Sequence, residues 1–385
     1  MNMYDDIAIT HRRELHRRAE TGFNLSETSK YITDTLTHSG YLPRIIGKSS
    51  IIAVKESECD EYVLLRADMD ALPIREETNL PFKSINGCMH ACGHDMHAAM
   101  LLTAAEALSK AKTKKGIIFL FQAAEETLEG ANKVIKSGEL YKYNIVDCLT
   151  VHVILGLPFK VGTLILPPSG VVAPGADVLS FEITGKSSHG STPHLGKNAI
   201  FAAIDIIDIT NRVLSFELPP MVFRHINWGV FRSGTAANVV PESAVLECNF
   251  RYFNPAVHKD VIDKMQKTIQ CIEVTSGCKI KFTRKGGCPP LKNSNAVAEK
   301  VKSILCAEDV NFISADELEG KSSSGVGGSE DFAHFSVQYP SLLVSICAGN
   351  EEGGYASPLH TSKTDFDEAA LSVGWRYFYT MAQKL

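Results

Sequence analysis

The alternation of short apolar runs with helical patterns is the feature that most limits what this chain can fold into. Four runs rich in Ile, Val and Leu, each bounded by polar turns as buried strands are, span residues 50–54, 62–65, 116–121 and 145–151. Helical patterns at residues 95–109 and 129–137 separate the last three of these runs. Strands that alternate with helices are typical of an α/β sheet with parallel strands.

The pattern changes after about residue 175. The next segments are a strand at 178–184, a helix at 198–214, strands at 225–232 and 243–252, a helix at 255–276 and a strand at 279–284. This βαββαβ order predicts a ferredoxin-like α+β domain. The α/β pattern then resumes with a helix at 296–305, a strand at 342–347 and a helix at 367–383. We therefore expect a domain formed by residues 1–175 and 290–385, interrupted by an inserted domain at residues 176–289.

Composition excludes several classes of protein. The 385 residues include 39 Lys and Arg against 44 Asp and Glu, a net charge of −5, whereas nucleic-acid binders usually carry a basic excess. The longest apolar runs fall well short of the ~20 residues that a membrane span needs. The first 20 residues are polar and charged, which predicts no signal peptide. Ten cysteines are too few for a disulfide scaffold, so we expect a cytoplasmic protein with reduced thiols.

The densest group of polar side chains is CMHACGHDMH at residues 88–97. It holds three histidines, two cysteines and an aspartate directly before a helical pattern. Cys92 and His94 are two residues apart on a turn, where both side chains could face one metal, and His97 follows three residues later. Thiolate and imidazole suit Zn²⁺, Mn²⁺, Co²⁺ or Ni²⁺. A helix cap with scattered surface histidines is the alternative, but this density favours a metal site.

Two adjacent carboxylates, Glu125 and Glu126, follow the buried run at 116–121. Like charges at the end of a central strand repel each other and raise a pKa, and a metal offsets that repulsion. One carboxylate could then bind the metal while the other takes a proton from water. A solvated helix N-terminus, where Glu is favourable, explains the pair equally well.

Three further polar side chains follow strand ends: Asp68 and Asp70 after the run at 62–65, and His152 after the run at 145–151. Alone, the aspartates would be turn formers and His152 a buried histidine with hydrogen-bond partners. Ligands of open α/β sheets bind at the carboxyl ends of the strands. We therefore expect Asp68 and His152 to converge with Glu125 and Glu126.

Other polar loops are weaker candidates. His360 precedes the last helix, and Glu330 with Asp331 follows a run of glycines. In the inserted domain, His189, Asn238 and Arg251 could donate hydrogen bonds to a carboxylate or an oxyanion. For all of these, residue chemistry alone favours ordinary turn or surface positions.

Seven segments together resemble the M20 metallopeptidase family, and most of all its amidohydrolase branch. They occur in the family's order and read LLRADMDALPIREET, MHACGHDMHAAMLL, FQAAEE, SSHGSTPH, NVVPE, GGSEDF and PLHTSKTDFDE. That branch includes hippurate hydrolases, N-acyl-amino-acid amidohydrolases, auxin-conjugate hydrolases and N-acetyl-diaminopimelate deacetylases. The resemblance extends from about residue 10 to the C-terminus.

The resemblance implies a zinc-peptidase-like mixed sheet flanked by helices, an inserted lid domain that often mediates dimerisation, and two divalent metal ions (Mn, Zn, Co or Ni). The metal ligands it implies are Cys92, His94, Glu126, His152 and His360. Glu125 would be the general base and Asp68 would orient or polarise the site. The positions similar to those that bind the substrate carboxylate and oxyanion, partly across a dimer interface, are His189, Asn238 and Arg251. Ala123 stands where the family usually has proline.

The expected activity is hydrolysis of small N-acyl amino acids to a carboxylic acid and a free amino acid by a homodimer that binds neither nucleic acid nor membrane. An N-acetyl-diaminopimelate-type deacetylase or a small dipeptidase of the same family is an alternative. A different mechanism would make Cys92 a nucleophile with His94 or His97 as its base. A ligand-binding homologue without catalysis is the third alternative, and the intact set of expected ligands argues against it.

Overall fold

A computed structural model describes residues 2–314 and 328–385. The chain divides into two compact units. The first unit comprises the chain up to Val172 together with Leu291–Leu385, and the second unit comprises Ala173–Pro290. The sequence-based boundaries, after residues 175 and 289, lie close to these divisions.

Sixteen strands are present in the described residues. In chain order they are β1 Arg44–Ile46, β2 Ser50–Lys55, β3 Glu61–Asp68, β4 Gly116–Gln122, β5 Asn144–Ile154, β6 Leu164–Leu166, β7 Gly170–Ala173, β8 Gly175–Thr184, β9 Ser188–His189, β10 Arg224–Ser233, β11 Val239–Val240, β12 Ser243–Tyr252, β13 Lys279–Cys288, β14 Leu291–Asn293, β15 Phe312–Ser314 and β16 Ser341–Cys347.

Nine α-helices accompany these strands in the described part of the chain. They are α1 Met3–Arg17, α2 Ser26–His38, α3 His94–Leu108, α4 Gly130–Lys136, α5 Ala199–Arg212, α6 Pro255–Ser276, α7 Asn295–Ala307, α8 Ala333–Gln338 and α9 Ala369–Lys384.

The first unit is built on an eight-stranded mixed sheet in the order β1-β2-β4-β3-β5-β16-β6-β15. Its centre is parallel, since β3 pairs in parallel with both β4 and β5, and β5 with β16. Antiparallel pairs flank this centre at β2–β4 and β16–β6. The expected mixed sheet flanked by helices is therefore confirmed, and parallel pairing recurs at one edge, between β6 and β15.

Burial on both faces explains why the central strands read as continuous apolar runs. All seven residues of β4 are buried, because helices cover a parallel sheet and leave neither face to solvent. Helix α3, which packs between α1 and α9, is also buried along almost its whole length. The core of the first unit therefore lies between this helical layer and the sheet.

The second unit has the ferredoxin-like arrangement expected from the sequence. Its antiparallel sheet has the order β10-β12-β8-β13, and α5 and α6 enter between the strands in the βαββαβ sequence. Strand β12 alternates regularly between buried and less buried residues, as a strand does when one face is covered. The covered face packs Phe181, Leu246 and Phe250 against the two helices.

The sequence analysis missed the strands of two to four residues. Strands β1, β6, β14 and β15 have three residues each, which is too short for an alternating or apolar pattern to stand out. None of the helices in the described part of the chain combines the length and apolar character that crossing a bilayer requires.

A buried ion cluster ties the N-terminal helix to the first turn of α3 and to the loop that precedes it. His16 of α1 bonds through Nδ1 to Asp95 Oδ2 at 2.8 Å and through Nε2 to Glu76 Oε2 at 3.1 Å. Burial alone would lower the pKa of His16, but the bonds and charges of Asp95 and Glu76 outweigh it and raise the pKa from 6.5 to about 9. His16 is therefore an imidazolium in the folded protein at neutral pH.

This cluster predicts a specific loss of stability in mild alkali. A group whose pKa is higher in the folded than in the unfolded protein stabilises the fold fully below its unfolded pKa, here about 6.5. This stabilisation is lost as the pH rises through the folded pKa of about 9. We expect the free energy of unfolding, measured in urea between pH 6.5 and 9, to fall less steeply for His16→Asn than for wild type. The difference in slope should be at most about 1.4 kcal/mol per pH unit. His38→Asn, at an exposed position of α2, is the control, and an unchanged slope in His16→Asn would contradict the assignment.

Candidate metal centre

Three neighbouring parallel strands bring the central residues of the candidate site together. Asp68 is the last residue of β3, Glu125 and Glu126 follow the end of β4, and His152 lies near the end of β5. Because β4, β3 and β5 are adjacent and parallel, these positions share one edge of the sheet. The expected convergence of strand ends is thus present in the structure.

The turn before α3 presents Cys92 and His94. Gly93, the residue before α3, has a φ of 87°, and a Cβ there would come within 2.3 Å of Val153 Cγ2, so only glycine fits. His94 Nδ1 donates to the backbone carbonyl of Asp70 at 2.8 Å. Its Nε2 consequently carries no proton when the ring is neutral and faces the carboxylates.

His360 reaches the same place from the loop before α9. Its backbone N–H donates to the carbonyl of Ala91 at 2.9 Å, which anchors this loop to the turn that carries Cys92. His360 Nε2 lies 3.2 Å from Cys92 Sγ and 3.6 Å from Glu126 Oε1. Residues 268 positions apart in the chain therefore share one site.

The five expected ligands form two overlapping groups. In each group the potential ligand atoms all lie within 4.8 Å of one another. One group is Cys92, His94 and His152, and the other is Cys92, Glu126 and His360. Cys92 belongs to both, and His94 Nε2 lies 3.8 Å from Glu126 Oε1, so the groups are contiguous.

Two buried atoms in this cluster indicate that a cation belongs there. His94 Nε2 and Glu126 Oε1 are inaccessible to solvent, yet neither has a hydrogen-bond partner among the described residues. Leaving a buried polar atom unsatisfied destabilises a protein by about 1–3 kcal/mol. Thiolate, imidazole and carboxylate are the donors that Zn²⁺, Mn²⁺, Co²⁺ and Ni²⁺ accept. The residues present therefore fit a divalent metal.

The ionisation of the cluster points the same way. Burial raises the pKa values of the Cys92 thiol and of the Glu126 carboxyl, and burial lowers the pKa of His152 to about 3. A neutral imidazole is the form that binds a metal. At His94 the charge of Asp68 outweighs burial and raises the pKa well above its ordinary value. A bound cation would favour the neutral imidazole of His94 together with the ionised thiol and carboxyl.

His97 is a possible base in the alternative mechanism with Cys92 as the nucleophile, but its contacts in the structure orient Asp68. His97 Nδ1 lies 2.6 Å from Asp68 Oδ1, and His97 Nε2 accepts a hydrogen bond from the Val153 amide at 2.8 Å. Both ring nitrogens are therefore engaged, so His97 cannot serve as the base for Cys92. The spacing of three residues between His94 and His97 was the available signal, but it could not tell a ligand from a supporting residue.

The turn that carries the glutamate pair is held by side chains from neighbouring strands. The Glu125 and Glu126 amides donate to Asp70 Oδ1 and Oδ2 at 3.0 and 3.3 Å. The Ala123 amide, which a proline would lack, donates to Ser50 Oγ at 3.1 Å. Departure from the usual proline therefore adds a buried hydrogen bond at this turn.

Glu125 is buried next to His94, one of the expected ligands. Its side chain is buried, with Oε2 3.9 Å from His94 Nε2 and with Oε1 accepting from the Asp331 amide at 3.3 Å. Burial raises its pKa well above the ordinary value, and the nearby carboxylates of Glu330 and Asp331 add to that rise. A carboxyl with a raised pKa is suited to exchanging protons near neutral pH.

The three candidate residues of the second unit do not share one location within a single chain. His189 in β9 pairs with Val239 in β11, and the Gly190 amide donates to the Asn238 carbonyl, so His189 and Asn238 are neighbours. Arg251 lies near the far end of β12, paired with His225 and bonded to Asn249 Oδ1 at 2.9 Å. Arg251 lies eight residues after Ser243, the first residue of β12. At ~3.3 Å per residue, that is about 26 Å along the strand.

Comparison with known proteins gives consistent results. Residues 64–384 match the model of peptidase family M20/M25/M40. An N-acetyldiaminopimelate deacetylase of Bacillus subtilis is 30% identical over 377 residues, covering 97% of this chain and 96% of the relative. An uncharacterized hydrolase of Staphylococcus epidermidis is 31% identical over 381 residues, covering 96% of both chains.

A solved structure from Bacillus subtilis, described as a dinuclear metal-binding peptidase of the M20 family, is similar throughout. It superposes with a TM-score of 0.75 at 27% identity, covering 98% of this chain and 97% of the other.

The contacts of Asp70 predict a stability effect. In Asp70→Asn, one carboxylate oxygen becomes an N–H₂ group facing a backbone N–H, so one of the two amides of the glutamate turn loses its acceptor. We expect the free energy of unfolding in urea to fall by about 1–3 kcal/mol. Asp60→Asn, at an exposed loop position, should leave stability unchanged. Equal stability of Asp70→Asn and wild type would show that Asp70 does not hold the turn.

Proposed function

The chain belongs to peptidase family M20/M25/M40, and we propose that it hydrolyses the amide bond of N-acyl amino acids in a metal-dependent reaction. The observation that carries the proposal is the meeting of Cys92, His94, Glu126, His152 and His360 beside Glu125 at one edge of the sheet. Hydrolysis adds water across the amide and releases a carboxylic acid and a free amino acid.

Two divalent ions, Mn²⁺, Zn²⁺, Co²⁺ or Ni²⁺, would be held by the two overlapping ligand groups. Cys92, His94 and His152 form one group, and Cys92, Glu126 and His360 form the other. When bound, such ions polarise an amide carbonyl and lower the pKa of water. A reducing, cytoplasmic compartment is part of this proposal, because Cys92 can act as a ligand only as a reduced thiol.

Glu125 is the group that moves the proton in this proposal. Its carboxylate takes a proton from the water that attacks the amide carbonyl, and its carboxylic acid then gives that proton to the leaving amine. Support comes from its burial, its raised pKa and the amide of Asp331, which fixes one carboxylate oxygen. Asp68 orients the cluster. Its Oδ1 lies 2.6 Å from His97 Nδ1, and its Oδ2 lies 3.8 Å from His94 Nε2.

The second unit would bind the substrate and join two copies of the chain. His189, Asn238 and Arg251 would bind the substrate carboxylate and the oxyanion, with Arg251 contributed by the partner because it lies far along β12 from the other two. A homodimer is supported by the unpaired side of edge strand β10 and by three exposed apolar side chains, Phe201, Ile204 and Phe231. Long exposed sheet edges commonly pair with a second chain.

A deacetylase acting on N-acetylated diaminopimelate is the second candidate. The 30% identity to the Bacillus subtilis N-acetyldiaminopimelate deacetylase over nearly the whole chain favours it. This candidate uses the same site and chemistry and differs only in the side chain of the amino acid. Turnover of N-acetyl-diaminopimelate, compared with acetyl, benzoyl and longer N-acyl derivatives of other amino acids, separates the two candidates.

Replacing Glu125 should remove catalysis while metal binding remains. We expect Glu125→Gln to lower kcat by ~10²–10⁴-fold, since a positioned acid–base group contributes on that scale. Metal content should stay at the wild-type level, because Glu125 is not one of the five expected ligands and glutamine keeps a side-chain oxygen where Glu125 approaches His94 and Glu126. Glu129→Gln, four residues further along the same loop, is the matched control and should keep full activity. Wild-type turnover by metal-loaded Glu125→Gln would refute the proposed mechanism.

Chelation distinguishes a metal-dependent reaction from a cysteine nucleophile. We expect a chelator to abolish turnover and added Mn²⁺ or Zn²⁺ to restore it. Cys92→Ser should bind less metal per chain, measured by elemental analysis, whereas Cys88→Ser should match wild type because Cys88 belongs to neither ligand group. An enzyme that stays active after complete metal removal but loses activity on thiol alkylation would favour Cys92 as the nucleophile.

A further inference from the structure

We propose that Arg66 is a positioning residue for Glu125 and that it acts through the loop that contains Glu330 and Asp331. The proposal rests on the role of Glu125 proposed above. Arg66 lies on β3, two residues before Asp68, and its side chain is 1% exposed. A guanidinium so deeply buried needs several acceptors, and each of those acceptors belongs to the site or to its support.

The guanidinium uses all three of its nitrogens. Nη1 donates to Asp68 Oδ2 at 2.7 Å and Nε donates to Gln122 Oε1 at 3.0 Å. Nη2 donates to Glu330 Oε1 at 3.0 Å and to Asp331 Oδ1 at 3.1 Å. Arg66 therefore connects the strand end at Asp68 with a loop more than 260 residues later in the chain.

Asp331 is fixed on every side, and its amide is what touches Glu125. Its carboxylate accepts from Gln122 Nε2 at 2.7 and 2.9 Å and from the Ala131 amide at 2.9 Å. Its backbone N–H donates to Glu125 Oε1 at 3.3 Å. This N–H and the fixed carboxylate belong to the same residue. Groups that hold the carboxylate of Asp331 therefore also hold the N–H that bonds the carboxylate of Glu125.

Charge makes Arg66 necessary in this arrangement. Oxygens of Glu125, Glu330 and Asp331 all lie within 4.8 Å of one another. Three carboxylates at that separation in a buried site would repel one another strongly if all were ionised, and burial with this proximity raises the pKa values of Glu125 and Asp331. Arg66 is the cation that contacts two of them, and without it the 328–332 segment would relax away from Glu125 and take the Asp331 amide with it.

The geometry of the donor also matters. Arginine presents five N–H donors in a planar fork, whereas lysine presents three on one nitrogen atom. A lysine at position 66 would keep the charge but could not bond Asp68, Gln122 and Asp331 from fixed directions. If Arg66 served only to neutralise charge, lysine would replace it fully. If Arg66 positions Glu125, lysine would restore folding and only part of the rate.

A double-mutant cycle tests the proposal on the full-length, metal-loaded enzyme with an N-acetyl amino acid as substrate. We expect Arg66→Met to lower kcat by about 10²-fold with little change in KM, since misplacing a reacting group by about 1 Å has an effect of that size. Arg66→Lys should recover part of the loss. In the Glu125→Gln background, Arg66→Met should lower kcat by less than about threefold, because the group it positions is already gone.

A second readout is independent of activity. Hydrogen exchange of residues 328–332, measured by mass spectrometry, should be faster in Arg66→Met and Arg66→Lys than in wild type, with metal content unchanged. Arg376→Lys is the matched control, because Arg376 also holds a carboxylate, that of Asp5, through two bonds of 3.0 and 3.1 Å. Its kcat and the exchange of residues 328–332 should equal those of wild type.

The outcomes separate the two proposals. Full activity of Glu125→Gln would overturn the role of Glu125 and the positioning role together. Loss of activity in Glu125→Gln, combined with equal fold-losses for Arg66→Met in both backgrounds or full rescue by lysine, would overturn the positioning role alone. If Arg66→Met does not fold, Arg66→Lys and Asp331→Asn carry the same cycle, and unchanged exchange of residues 328–332 in both would also overturn it.

Discussion

Repulsion among buried carboxylates is the constraint on which the rest of this structure depends. Asp68, Glu125, Glu126, Glu330 and Asp331 gather at one edge of the central sheet, and four of them are less than a tenth exposed. Such a group is stable only with opposite charge and directed hydrogen bonds. Arg66 supplies the charge on one side, backbone amides supply hydrogen bonds, and the ligand groups on the other side are suited to cations.

The parallel centre of the sheet explains why the acidic residues meet. Strands β4, β3 and β5 run in the same direction, so whatever follows their carboxyl ends is placed side by side. The turn before α3 and the loop before α9 then close over this edge through the hydrogen bond between His360 and Ala91.

Supporting residues hold the site residues and their turns in place. His97 holds Asp68, Asp70 holds the amides of Glu125 and Glu126, and Ser50 holds the amide of Ala123. Metal sites generally depend on such outer contacts to orient their ligands. In this chain His97 and Asp70 lie close in sequence to the site residues His94 and Asp68, although the residues they support are distant in the chain. That closeness makes a supporting residue difficult to distinguish from a ligand in a motif.

The sequence by itself determined a two-unit pattern, nearly all of the longer strands and helices, and the strand-end positions of Asp68, Glu125, Glu126 and His152. It could do so because periodicity and strand-end position are local properties. The tertiary structure alone decided that His97 supports Asp68, that Arg66 and Asp331 lie beside Glu125, and that Arg251 lies far from His189 and Asn238. These facts depend on contacts between residues distant in the chain, and no local pattern encodes which side chain of a buried pair faces which.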